Sequence, residues 1–232
     1  MSLVRASLTI AQAIVHHHAM TAPNPTRDKT RYHTEEWWVL QIAPHVFRMH
    51  SIVLWTCSVV ETLSYLCTVY PTILPISANV VCPTGDSDMQ VLVPSPTFLT
   101  GCLVLFMGAY IRIDCFKTLG RLFTFDLTLH EDHELVQTGF YSYVRHPAYT
   151  GSMLLVAGIT FSHFTSGSWL TQCGPLRSKS ITLLVVATWW TWALAVGISR
   201  GRAEDAQMKK TFGLEWERYA ANVPWWFFPG IA

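Results

Sequence analysis

Apolar residues in this chain run in long blocks, not in the alternating or one-faced patterns of half-buried strands and surface helices. A helix needs about 20 mostly apolar residues to cross a bilayer. Five stretches approach that length: Leu3 to about Met20, Val46 to Tyr70, Pro96 to Phe116, Pro147 to Leu170 and Ile181 to Ser199. The first is interrupted by Arg5 and by His16-His17-His18, and it also reads as a cleaved signal peptide. No internal repeat or low-complexity linker divides the chain. The expectation is one domain over 1–232, with N-terminal spans in 1–116 and a more polar, motif-rich core in 117–232.

Composition agrees with lipid as the solvent. Half of the 232 residues are hydrophobic and 13% are charged, against about 25% charged in soluble domains. The predicted class is an all-α integral membrane protein of about five transmembrane helices. A net charge of +1, with no basic cluster interleaved with aromatics, gives nucleic acid no electrostatic footprint. Basic residues set the orientation. Arg27, Lys29 and Arg31 follow the first span, Lys117 and Arg121 follow the third, and Arg200, Arg202, Lys209, Lys210 and Arg218 follow the fifth. The loop from Pro71 to Ser95 holds Asp86 and Asp88 and no basic residue, and only Arg177 and Lys179 oppose the trend. Residues 21–45, 117–146 and 200–232 are therefore expected in the cytosol, which brings the two polar, motif-rich stretches to one membrane face.

Cys57, Cys67, Cys82, Cys102, Cys115 and Cys173 form no Cys-x-x-Cys pair and mostly lie in apolar runs. They read as packing thiols, with neither a disulfide framework nor a zinc site. The three adjacent histidines point in different directions on a helix and read as structural or interfacial, so no metal is expected. Glu61, deep in the second span, is a functional candidate because charge is expensive there; a protonated Glu bonded to a neighbouring helix is the plainer reading. Trp189, Trp190 and Trp192 suit a packed, lipid-facing span, and Trp225-Trp226-Phe227-Phe228 an interfacial anchor.

Two clusters carry candidate chemistry. The first runs from His133-Glu134-Leu135-Val136 through Tyr141 to Arg145-His146-Pro147-Ala148-Tyr149-Thr150-Gly151. Pro147 suits the first position of a helix, where its missing N–H costs nothing, and His146 before it is driven to extended backbone. Free N–H groups at that helix start suit the carboxylate end of a polar ligand. Arg145 adds charge, and Tyr141 and Tyr149 add faces for an adenine or a sugar. An interfacial loop that only anchors the helix accounts for the same residues. The second cluster is Arg200-Gly201-Arg202-Ala203-Glu204-Asp205, followed by Phe212-Gly213-Leu214-Glu215-Trp216-Glu217-Arg218-Tyr219. If the fifth span continues helically, Arg200 and Glu204 share one face, as they also would in an ordinary surface salt bridge.

Together these clusters resemble the isoprenylcysteine carboxyl methyltransferase family. That family shows a His-x-Leu-Val, Gly-x-Tyr, Arg-His-Pro-x-Tyr-x-Gly run, then Arg-x-x-x-Glu-Glu, then Phe-Gly-x-x-Tyr and Val-Pro. The resemblance covers roughly residues 117–228, and Asp205 and Trp216 depart from it where Glu and Tyr are commoner. It implies methyl transfer from S-adenosylmethionine to the C-terminal carboxylate of prenylated cysteine in CaaX-processed proteins. It implies a cofactor site in the helical cytosolic region, built from His133, Glu134, Leu135, Val136, Tyr141, His146, Pro147, Ala148, Tyr149 and Glu204, with Arg200 holding the substrate carboxylate. It also implies prenylated proteins and membrane lipid as partners, and residence in the endoplasmic reticulum.

A carboxylate with a pKa of about 3.5 is ionised at neutral pH and needs no general base to attack a sulfonium methyl. The protein must supply alignment and exclude water, and an Arg can fix a carboxylate in plane. A phospholipid (ethanolamine) N-methyltransferase is the nearest rival; its protonated amine needs a base, for which Glu204 and His146 are available. A sterol-type membrane reductase is a rival of another class, for which the chain has few spans.

Overall fold

The computed structural model describes residues 2–25, 32, 37–73, 82, 94–129 and 133–231. Among these the fold is helical: α1 (Leu3–Ala19), α2 (Trp38–Gln41), α3 (Ala43–Val69), α4 (Pro96–Leu119), α5 (Pro147–His163), α6 (Trp169–Gln172), α7 (Lys179–Phe212) and α8 (Leu214–Asn222). Outside the helices, an isolated bridge pairs Phe228 with Ile231. Among the described residues, three segments are long and apolar enough to cross a membrane, Ala43–Val69, Pro96–Leu122 and Lys179–Phe212. The other two predicted spans are shorter as helices: α1 and α5 have 17 residues each. The fourth predicted span was drawn to Leu170, but the helix stops at His163, where Ser168 Oγ donates to the His163 carbonyl at 2.5 Å.

Helix α7 has 34 residues, about 51 Å at 1.5 Å per residue, against a hydrocarbon core of about 30 Å. Its apolar part ends near Ser199, so the turns from Arg200 to Phe212 continue as polar helix. Gly213, at φ 53°, then breaks the helix and α8 begins; that left-handed conformation strains any residue with a Cβ.

The chain divides into two compact units. The first comprises Met1–His17, Phe47–Phe106 and Leu154–Trp190. Its interior is apolar packing threaded by a polar network. Arg5 donates to Glu61 from Nε at 2.8 Å and from a terminal nitrogen at 3.0 Å, and both residues are buried. The guanidinium lies 4.2 Å over the Phe98 ring. Glu61 is thus bonded to an arginine 56 positions away in a different apolar run. Gln12 donates to Ser162 Oγ at 2.7 Å and its carbonyl oxygen meets His163 Nε2 at 3.0 Å. Of the three adjacent histidines, His16 is buried beside Ser51, while His17 and His18 are exposed. Trp190 donates its indole N–H to Thr160, and Trp189 packs against His50 and Phe164.

This unit also overturns one cysteine expectation. Cys82 and Cys173 form a disulfide across 91 positions, covered by Trp169. These are two cysteines that sit outside the long helices, free to approach each other in connecting segments. Cys57, Cys67, Cys102 and Cys115 remain free thiols within helices.

The second unit comprises His18–Val46, Met107–Met153 and Thr191–Ala232, and contains both sequence clusters. Pro147 opens α5, as expected. Gly151 allows the close approach of α5 to α4: a Cβ there would lie 2.7 Å from Arg112 Cγ and 2.7 Å from the Gly108 carbonyl oxygen.

Candidate functional site

The extended segment before α5 is held from both sides. The N–H of Arg145 donates to the Trp225 carbonyl at 2.9 Å and that of His146 to the Trp226 carbonyl at 3.0 Å. Thr150 Oγ1 donates to the Phe227 carbonyl. Arg145 Nη1 reaches the carbonyls of Val223 and Pro224, each at 2.9 Å. The aromatic tail, read from the sequence as an interfacial anchor, is therefore a backbone strap over the Arg145-His146-Pro147 motif. His146 before a proline is confined to extended backbone, and that leaves its N–H free to pair with the strap.

The strap positions His146 between two carboxylates. His146 Nδ1 lies 3.1 Å from Glu204 Oε2, and Nε2 lies 3.0 Å from Asp205 Oδ1. Tyr149 OH donates to the other oxygen of Glu204, and Arg145 meets Asp205 Oδ2 at 3.1 Å. Burial opposes charge on the imidazole, but the hydrogen bonds it donates to Asp205 and Glu204 outweigh it and raise the His146 pKa to about 9. Arg145, His146, Glu204 and Asp205 thus form one interlocked cluster. Asp205, shorter than the Glu the resemblance calls for, still reaches both Arg145 and His146.

A cavity opens on this cluster. It is lined by His133, Glu134, Leu135, Val136, Tyr141, His146, Ala148, Tyr149 and Glu204, nine of the ten residues implied for the cofactor. Pro147 is not among the lining residues, and neither is Arg200. The guanidinium of Arg200 is buried and donates from Nη1 to the Phe125 carbonyl at 3.0 Å. Continuous α7 does put Arg200 one turn before Glu204, as the sequence spacing required. Asp126 lines the same cavity.

The sequence reading missed several lining residues. Tyr32, Phe123, Met208 and Tyr219 come from four separate segments. Tyr219 OH donates to the Tyr141 carbonyl at 2.8 Å and ties α8 to the Gly139–Ser142 turn. Burial pushes the phenols of Tyr32, Tyr141 and Tyr219 above their ordinary range, so they act as neutral donors. Arg112 also lines the cavity. Its signal was present in the sequence, as a cation inside the third apolar run.

Comparison with known proteins points the same way. The model of the isoprenylcysteine carboxyl methyltransferase family matches residues 99–173. A probable protein-S-isoprenylcysteine O-methyltransferase of Oryza sativa subsp. indica is 27% identical over 125 residues, 53% of this chain and 56% of that protein. Protein-S-isoprenylcysteine O-methyltransferase B of Arabidopsis thaliana is 28% identical over 126 residues, 53% of this chain and 55% of its own. The corresponding Saccharomyces cerevisiae protein is 29% identical over 125 residues, 53% and 45% respectively. The chain spans about half the length of the curated relatives it matches. The family model takes in the first motif cluster and stops before Arg200 and Glu204. No solved structure is a significant match.

Proposed function

We propose that the chain is a member of the isoprenylcysteine carboxyl methyltransferase family and that it methylates the C-terminal carboxylate of prenylated cysteine, using S-adenosylmethionine. One observation carries this reading. Nine residues that the family resemblance assigns to the methyl donor, scattered from His133 to Glu204, line a single cavity.

The residues present fit such a donor. Apolar Leu135 and Val136 and the ring of Tyr141 offer surfaces to an adenosine, and the Glu204 and Asp205 carboxylates suit a positively charged ligand. When bound, S-adenosylmethionine supplies an electrophilic methyl on a sulfonium. The protein's own task is placement. Glu204 is fixed by His146 and Tyr149, and Asp205 by His146 and Arg145, so neither carboxylate must reorganise when a cation arrives. The strap 225–227 holds His146 in that geometry. Arg200, one turn before Glu204 on α7, holds the acceptor carboxylate in plane and leaves an oxygen lone pair free to attack. The acceptor is already ionised near neutral pH, so no side chain need remove a proton. Its prenyl chain enters from the bilayer between helices.

Orientation belongs to the same proposal. Five membrane crossings put 21–45, 117–146 and 200–232 in the cytosol of an endoplasmic reticulum protein, with prenylated proteins as substrates. The disulfide supports it, because both Cys82 and Cys173 lie in segments assigned to the opposite, oxidising side.

The test is incubation of membranes carrying the protein with methyl-labelled S-adenosylmethionine and either N-acetyl-S-farnesylcysteine or phosphatidylethanolamine. Base-labile methyl ester on farnesylcysteine is the expected product. Label on the phospholipid amine alone would replace this reading with N-methylation.

A further inference from the structure

Arg112 is a charge in the cavity that neither the motif clusters nor the proposed reaction uses. It sits in α4 at 3% exposure. Its Nε donates to the Ala19 carbonyl at 2.7 Å, and Nη1 donates to the Ala148 carbonyl at 3.1 Å and to Ser152 Oγ at 2.6 Å. The rings of Phe116, Phe123 and Phe125 lie 5.5, 5.8 and 5.2 Å from the guanidinium carbon. Nη2, the remaining nitrogen, is buried and has no hydrogen-bond acceptor among the described residues.

Such an arrangement is costly unless something is gained by it. A guanidinium removed from water requires its donors satisfied and its charge paired. No carboxylate among the described residues forms an ion pair with Arg112. Glu204 and Asp205, the acids nearest in function, are engaged with His146, Tyr149 and Arg145. The carbonyl and hydroxyl partners fix the orientation of the guanidinium without neutralising it, and the Phe rings stiffen it. Gly151 leaves space for its stem, since a Cβ there would lie 2.7 Å from Arg112 Cγ. The outcome is an oriented, unneutralised guanidinium on a residue that lines the cavity, with Glu204 and Asp205 lining it as well.

We propose that Arg112 Nη2 receives the carboxylate of a ligand bound in this cavity. The inference rests on the function proposed above, which offers two sources of that chemistry: the methionine carboxylate of the methyl donor, and the C-terminal carboxylate of the acceptor. In the first case the cavity matches a zwitterion end to end, with Arg112 on the carboxylate and the acidic pair on the cationic groups. In the second, Arg112 works beside Arg200 on the acceptor; the two cations share Phe125, whose ring faces Arg112 and whose carbonyl accepts from Arg200.

The experiment uses the full chain in lipid nanodiscs. Binding of S-adenosylhomocysteine and of its decarboxylated counterpart is measured by calorimetry, and KM is measured for N-acetyl-S-farnesylcysteine, in wild type, Arg112→Gln and Arg112→Lys. If the donor's carboxylate is the ligand, Arg112→Gln weakens S-adenosylhomocysteine on the order of 10-fold or more. The decarboxylated form is unaffected, and Lys restores part of the loss. If the acceptor's carboxylate is the ligand, S-adenosylhomocysteine binding is unchanged and the acceptor KM rises by a similar factor. Equal weakening of both donor analogues, or no change in either binding or KM, overturns the proposal and leaves Arg112 a structural residue. Wild type alone suffices if Arg112→Gln does not fold. It must prefer S-adenosylhomocysteine to the decarboxylated form, or farnesylcysteine acid to its carboxamide; indifference in both pairs overturns the proposal. A wild type that binds no S-adenosylhomocysteine at all instead removes the proposed function, and the inference with it.

Discussion

Both units of this protein bury charged groups in apolar surroundings, and they do so in opposite ways. In the first, Arg5 donates twice to Glu61, and Gln12 bonds Ser162 and His163 in the same unit. In the second, Arg145, His146, Glu204 and Asp205 also interlock, but they form the wall of a cavity and keep Tyr149, Tyr141 and Arg112 around it. A buried polar network that ties helices together is a specificity device for their packing. One that lines a cavity is a candidate site. The same rule, that charge in a span is expensive, flags both; only the cavity separates them.

The contrast predicts a large stability effect in the first unit. Glu61→Leu leaves Arg5 buried without its partner, which costs about 3–5 kcal/mol. Thermal unfolding in detergent should show loss of the folded, monodisperse protein. Arg5→Met combined with Glu61→Leu should recover most of it. Failure of the double substitution to recover stability would give the pair a role beyond packing.

In the second unit the largest expected effect is on turnover. Arg200→Ala should lower kcat/KM for N-acetyl-S-farnesylcysteine on the order of 10²-fold or more, with donor affinity retained and the folded yield unchanged. Arg200→Lys should rescue in part, because Lys offers a point charge where a planar fork is used. Near-normal turnover in Arg200→Ala would move the carboxylate grip elsewhere, and Arg112 is the next residue to test.

A smaller effect concerns the His146 cluster. Glu204→Gln should weaken S-adenosylhomocysteine on the order of 10-fold, measured by calorimetry. His146 has a raised pKa, so its pairing with the two carboxylates is fully present below about 6.5, the ordinary value. That pairing is lost as pH climbs through about 9. Donor affinity should therefore hold near neutrality and fall above that point, and Asp205→Asn should move the fall to lower pH. A pH profile identical in wild type and Asp205→Asn would detach His146 from binding.

The least effect is expected from the disulfide. Cys82→Ser should abolish the mobility shift between reduced and non-reduced protein. It should change S-adenosylhomocysteine affinity within about 2-fold, as for residues that share no partners with the site.

What the sequence revealed follows from range. Helix α7 and the helix start at Pro147 depend on local signals, and each was legible. So was the spacing of Arg200 and Glu204 on one helix face. The motif residues His133 to Tyr149 were found by resemblance, and the structure gathers all but Pro147 at one cavity. Pairings across long sequence distances were not legible. Arg5 with Glu61 and Cys82 with Cys173 join residues 56 and 91 positions apart, and no periodicity records them. The strap 225–227 was hidden for a different reason: its aromatic side chains suggested a membrane anchor, while its backbone carbonyls do the holding. Arg112 was legible and passed over, because an isolated cation in an apolar run announces a cost without naming its partner.

The central claim is that the methyl donor binds at the His146–Glu204 cluster and not at the closed network of the first unit. Ultraviolet cross-linking of tritiated S-adenosylmethionine to the membrane-embedded protein, followed by peptide mapping, tests it most directly. The account predicts label within residues 133–149 or on the α7 turns around Glu204, suppressed by excess S-adenosylhomocysteine. Label that concentrates on peptides from 3–17 or 47–69, and is equally suppressed, would contradict it.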